Sequence, residues 1–187
     1  NRRRFLAAGC VGCLSALTAS DLGATPAQAA RMRIRIVYSL HEEKQARPDW
    51  PNQGFDFRPV LDGINQQLSR RFPKMEFLTA MANGEEQAKK LLAEDSSAAI
   101  DGYLVYQMNC WNRVVQTIAT SGKPVLYADF QYGGSGGFLV YTAGFLRSQA
   151  ANVGFVASSK QKDLWEAVKC FELMRHGRTA ADFAAAV

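Results

Sequence analysis

The sequence predicts an α/β fold, with a five-stranded parallel sheet between two layers of helices. Three observations predict it. Short β-branched, apolar runs alternate with amphipathic helical stretches from Arg33 onward. The runs are apolar at consecutive rather than alternate positions, the pattern of strands covered on both faces. The chain between successive runs is long enough for a crossover helix, which parallel pairing requires.

Taken in order, Ile34-Arg35-Ile36-Val37-Tyr38-Ser39 is the first strand. A long loop, His41 to Asp56, carries Pro48, Pro51 and Gly54. Val60, Leu61, Ile64 and Leu68 then share one helical face, with Asp56 as N-cap and Pro59 in the first turn. Met75 to Ala80 is the second strand. Asn83-Gly84-Glu85-Glu86 has the shape of a capping box, opening a helix whose inner face is Ala88, Leu91 and Leu92. Gly102 to Tyr106 is the third strand. Trp111, Val114, Val115 and Ile118 form the next helical stripe, which Gly122 ends. Pro124 to Ala128 is the fourth strand. The turn Gly133-Gly134-Ser135-Gly136-Gly137 leads into an apolar segment, Phe138 to Leu146, read as helical. Val153 to Ala157 is the fifth strand. Leu164, Val168 and Phe171 mark a last helix ending near Gly177, and residues 178–187 read as the start of a linker or next domain of a longer polypeptide. Right-handed crossovers then favour a flavodoxin-like three-layer α/β/α arrangement with strand order 2-1-3-4-5.

The amino terminus reads differently. Arg2-Arg3-Arg4-Phe5-Leu6 sets arginines directly before an apolar run, the pattern of a bacterial twin-arginine signal peptide. The run from Leu6 to Leu17 is too short to span a bilayer, and Ala27-Gln28-Ala29 supplies a small-x-small cleavage pattern. The expectation is therefore export by the twin-arginine translocase, cleavage after Ala29, and one α/β domain over residues 30–177 in the periplasm or outside the cell. Removing residues 1–29 leaves 158 of 187, enough for one domain with a core. Lys plus Arg falls from 22 to 19 without Arg2, Arg3 and Arg4, and Asp plus Glu from 17 to 16 without Asp21. The excess of +3 is too small and too evenly spread for nucleic-acid binding. The Cys10–Cys13 spacing goes with the signal. Cys110 and Cys170 fall on different predicted elements, which argues against a disulfide.

In open parallel sheets, ligands bind beyond the carboxyl ends of the strands, where the strand order reverses. Ser39 and His41 follow the first strand, Gln107, Asn109 and Trp111 the third, and Asp129 and Gln131 the fourth. These seven are the predicted substrate-binding residues. Amides bond hydroxyls as both donor and acceptor, and aromatic faces cover the apolar side of a sugar ring. The set suits a neutral sugar or polyol better than a phosphate. The other reading of Asn109 and Trp111 is structural: Asn109 caps the third helix and Trp111 packs beneath it. His41 beside Glu42 does not make a metal centre, which needs three or four converging ligands. The glycine turn lacks both the Lys-Ser/Thr ending of a phosphate loop and GxGxxG spacing, so it reads as a lid or interface loop.

One unit of the chain carries a family resemblance. Asp101-Gly102-Tyr103-Leu104-Val105, an amide-rich turn, a helix, and Gly122-Lys123-Pro124-Val125-Leu126-Tyr127 together resemble the amino-terminal domain of the L-fucose and L-arabinose isomerase superfamily. The similarity runs from Arg31 to Arg175, and this central unit is its specific part. It implies a metal-dependent aldose–ketose isomerase, usually with manganese, working as a homo-oligomer. It also implies that the metal ligands and acid–base carboxylates lie in later domains, while this domain shapes the substrate pocket. No metal ligand is carried over to this chain. Sugar-binding periplasmic receptors have a similar lobe, so a receptor lobe without catalysis is the alternative.

Overall fold

A computed structural model describes residues 31–187, Tyr132 and Gly134 excepted; the export signal expected over residues 1–29 lies outside the described residues. Five strands make one parallel sheet: β1 (Met32–Ser39), β2 (Met75–Ala82), β3 (Gly102–Gln107), β4 (Val125–Asp129) and β5 (Val153–Val156). Their order is β2-β1-β3-β4-β5 and every neighbouring pair is parallel. This is the flavodoxin-like three-layer fold that the alternating pattern predicts.

Helices α1 (Arg58–Arg71), α2 (Glu85–Asp95), α3 (Val114–Ala119), α4 (Ser135–Ser148) and α5 (Gln161–Lys169) provide the crossovers and close the unit. The pleat divides the strand side chains between two cores. Ile34, Ile36, Tyr38, Leu104, Tyr106 and Leu126 pack with Leu68 of α1 and Val168 of α5. Val37, Tyr103, Val105, Val125 and Tyr127 pack with Ala88, Val115, Ile118 and Phe145 of α2, α3 and α4.

The helix starts differ from expectation in instructive ways. Phe57, fully buried, stands at the N-cap of α1, while the Asp56 carboxylate accepts from the Arg58 N–H at 3.0 Å. At α2 the N-cap is Gly84, and the Asn83 N–H is satisfied by the Gln87 side chain at 2.8 Å, one residue beyond Glu86. Trp111 is not part of α3, whose N-cap is Arg113.

Residues 178–187 do not run off as a linker. After α5 the chain tightens into a 3₁₀ segment, Cys170–His176, and Gly177 stops it with φ of 70°, where a side chain would be strained. Thr179 and Asp182 then form a reciprocal capping box that opens α6 (Ala180–Ala186). Phe183, fully buried, stacks on Phe171 at 4.6 Å, so α6 completes the α1/α5 layer. An alanine-rich ending has no apolar periodicity to announce such a helix; a single phenylalanine anchors it. Cys110 and Cys170 are both thiols.

Candidate functional site

The carboxyl ends of β1 and β3 meet as the fold requires: Ser39 is the register partner of Gln107. Yet the crevice between them is filled. The chain after β3 folds back over it, with the Met108 and Cys110 N–H groups donating to the Ser39 carbonyl at 3.1 and 3.3 Å. The Ser39 hydroxyl and the Gln107 amide both donate to the Cys110 carbonyl, at 2.8 and 2.7 Å. The Gln107 carbonyl oxygen accepts from the Tyr127 hydroxyl at 2.7 Å. Burial, with Asp129 adding repulsion, pushes the Tyr127 phenol well above its ordinary pKa, so it stays a donor. Ser39 and Gln107 are each 1% exposed, and their polar atoms serve the scaffold.

Asn109 ties down the long loop that precedes α1. Its amide donates to the Gln45 side chain at 2.8 Å and to the Trp50 carbonyl at 3.2 Å, and its oxygen accepts from the His41 N–H at 3.2 Å. Gln45 is itself buried and pairs with Phe55 and Gly54 across the loop. His41 lines a separate cavity of about 340 Å³ with Glu42, Arg47, Asp49 and Asn83.

Trp111 is half exposed and its indole stands close to the backbone at the start of α4. A Cβ at Gly136 or Gly137 would stand 2.7 or 2.9 Å from its indole, and one at Gly133 would stand 2.8 Å from Trp50. Gly133, Gly136 and Gly137 are therefore held to glycine because two tryptophans approach the backbone there. The Tyr141 hydroxyl fixes this corner by donating to the Trp111 carbonyl.

The remaining predicted residues, Asp129 and Gln131, line a larger cavity of about 660 Å³ on the α1/α5 side of the carboxyl edge, over β3, β4 and β5. Tyr106 forms its floor, stacked on Tyr38 with centroids 5.9 Å apart, and burial holds its phenol protonated far above the ordinary range. Val60, Ile64 and Leu164 give it apolar walls, with Phe130 following Asp129. Gln67, Ser158, Ser159 and Gln161 add amide and hydroxyl groups. Thus the seven predicted residues fall into three groups: buried scaffold, loop and rim, and cavity lining. The β5 contribution, Ser158 and Ser159, was open to the same carboxyl-end reasoning that found Asp129. Tyr106 and Gln67 were not, because their part depends on how α1 crosses the sheet.

Among the described residues no three His, Cys, Asp or Glu side chains converge as a group that could hold the manganese implied by the isomerase resemblance. No helix among them is long and apolar enough to cross a membrane. Compared with family models, curated proteins and solved structures, the chain gives no match.

Proposed function

We propose that residues 31–187 form the sugar- or polyol-binding domain of an exported, sugar-isomerase-like protein, with the ligand in the cavity over β3, β4 and β5. The observation that carries this reading is the composition of that cavity: three glutamine amides and the Ser159 hydroxyl line it together with Tyr106, Phe130 and aliphatic side chains, while the Ser158 hydroxyl, also in the lining, is held by Asp163 and the Lys160 N–H. Amides and hydroxyls can follow a ring of hydroxyls as donor and acceptor, and aromatic and aliphatic groups can cover its C–H face. About 660 Å³ is ample for a monosaccharide. In this reading the catalytic carboxylates and any manganese belong to other parts of the full protein, and the domain orients substrate. No step of the isomerisation is assigned to residues of this chain.

Gly63 supplies a clean test. It lines the cavity from α1, and a Cβ there meets nothing within 4 Å. Gly63→Leu should fill the cavity while leaving the helix stable, since glycine is unfavourable inside helices. Saturation-transfer NMR with a panel of pentoses, hexoses and alditols should give signals on the parent chain that Gly63→Leu removes. Equal signals from both would refute the assignment. A receptor lobe is separated from an isomerase domain by incubating the full-length protein with bound aldoses and manganese: binding without ketose formation favours the receptor.

A further inference from the structure

Six large hydrophobic side chains among the described residues are exposed, and five of them lie on or beside α4. Leu139, Val140 and Leu146 belong to the helix itself, and each is more than half exposed. Trp111 stands against Gly136 and Gly137 in its first turn, and Trp50 against Gly133 just before it; both are also more than half exposed. The inner face of the helix is already satisfied, because Phe138 and Phe145 are buried against Tyr127. So α4 is apolar all round while only one side is covered. An exposed apolar patch of this kind marks an interaction site.

The chemistry of the outer face narrows the partner. Arg147 is the only charged residue in α4. A charged peptide would find a single pairing group, at the helix end. A helix that lies on a membrane carries several cations beside its apolar face, which α4 lacks. The face does fit itself. Leu139 and Leu146 are seven residues, two turns, apart and so share one stripe. Between them lie the small residues Ala143 and Gly144, and a Cβ at Gly144 would meet nothing within 4 Å, so a second helix has room to approach. An antiparallel copy, turned about the midpoint between Thr142 and Ala143, sets Leu139 against the partner's Leu146 and Leu146 against the partner's Leu139. The two Arg147 side chains then stand about 13 Å apart along the helices, beyond a Debye length, whereas parallel pairing would set them side by side. Each also comes to the amino-terminal turn of the other α4, where the indole of Trp111 offers it an aromatic face.

We infer that the outer face of α4 pairs two copies of this chain, antiparallel, about a two-fold axis between Thr142 and Ala143. The inference is independent of what the cavity over β3, β4 and β5 binds. A stable pair buries about 800 Å² on each partner. One face of a 14-residue helix falls short of that, and the tryptophans at its amino end make up only part of the difference. The pair is therefore a weak one, with a dissociation constant between about 10 μM and 1 mM.

The test is sedimentation equilibrium of the full chain from about 1 μM to about 1 mM, where the average mass should rise from one copy toward two. Leu139→Lys and Leu146→Glu, both at exposed positions, should each weaken association about tenfold or more. Mixing the two variants should restore it in part, because the antiparallel register brings the new cation of one chain against the new anion of the other and leaves one leucine pair intact. A parent chain that stays single at about 1 mM would overturn the inference and leave the face to a partner of another kind. Association that neither substitution weakens would overturn it by putting the contact elsewhere, and weakening without rescue on mixing would overturn the antiparallel register. If a charge on α4 disturbs the fold, the unsubstituted chain still decides the matter. The methyl resonances of Leu139, Val140 and Leu146 should move with protein concentration while those of the buried Val115 and Ile118 stay fixed, and α4 methyls that do not move would refute the pairing.

Discussion

Asn109 shows how a residue of the right chemistry can serve the scaffold. Its side chain makes three hydrogen bonds to the loop between β1 and α1, and its principal partner, Gln45, is buried. Asn109→Ala would leave the Gln45 oxygen without its donor, which should cost about 1–3 kcal/mol. Chemical denaturation should register that loss, and hydrogen exchange should show faster opening at Gln45 and Gly54 than in α3. At Trp111 the close contact is with glycine. Gly137→Ala would drive a methyl group into the indole, so the Trp111 fluorescence should shift as the ring moves. Trp111→Gly with Gly137→Ala should relieve the clash, since the three atoms nearest to the added methyl all belong to the indole.

At the scale of elements, α6 is where local signals and long-range packing meet. Its capping box is legible as Thr179 followed three residues on by Asp182, but its place on the sheet is set by Phe183 against Phe171. Phe183→Ala should cost about 3–5 kcal/mol, as for other buried aromatic truncations, and should free the carboxyl-terminal segment to limited proteolysis. The box also predicts a pH effect. Hydrogen bonds from the Thr179 N–H and hydroxyl hold the Asp182 carboxyl below its ordinary range. A carboxyl whose folded pKa is lowered contributes fully above its unfolded value and loses that contribution as pH falls through the folded one. The Phe183 ring resonances should therefore begin to average toward unfolded positions below about pH 4, and Asp182→Asn should remove that step.

At the scale of the whole unit, residues 31–187, the sheet is pinned at its amino edge by an ion pair with a buried carboxylate and bears a cavity at its carboxyl edge. Arg35 of β1 reaches Asp95 at the end of α2, whose side chain is 1% exposed, and that contact raises the Arg35 pKa. Asp95→Ala would leave the partly buried Arg35 guanidinium without its partner, so it should destabilise the unit by about 1–3 kcal/mol in denaturant titrations. At the other edge a ligand seated in the 660 Å³ cavity would touch β3, β4, β5, α1 and α5 together. At a hundredfold excess over its Kd it should add about 2.7 kcal/mol to folding stability and raise the melting temperature, with Gly63→Leu abolishing the shift.

The alternation of apolar runs with helical stripes determined the strands, their parallel pairing and their order, because strands buried on both faces leave few compatible arrangements. It also determined that polar groups following β1, β3 and β4 would gather at one edge. Tertiary packing alone decided which of them face a cavity. The segment after β3 folds back over Ser39 and Gln107 and makes them internal, whereas α1 and α5 stand apart above Tyr106 and Asp129 and leave space. Side-chain chemistry is local and can be read from the chain. The volume left between two helices is a difference between distant surfaces, and no short stretch of sequence encodes it.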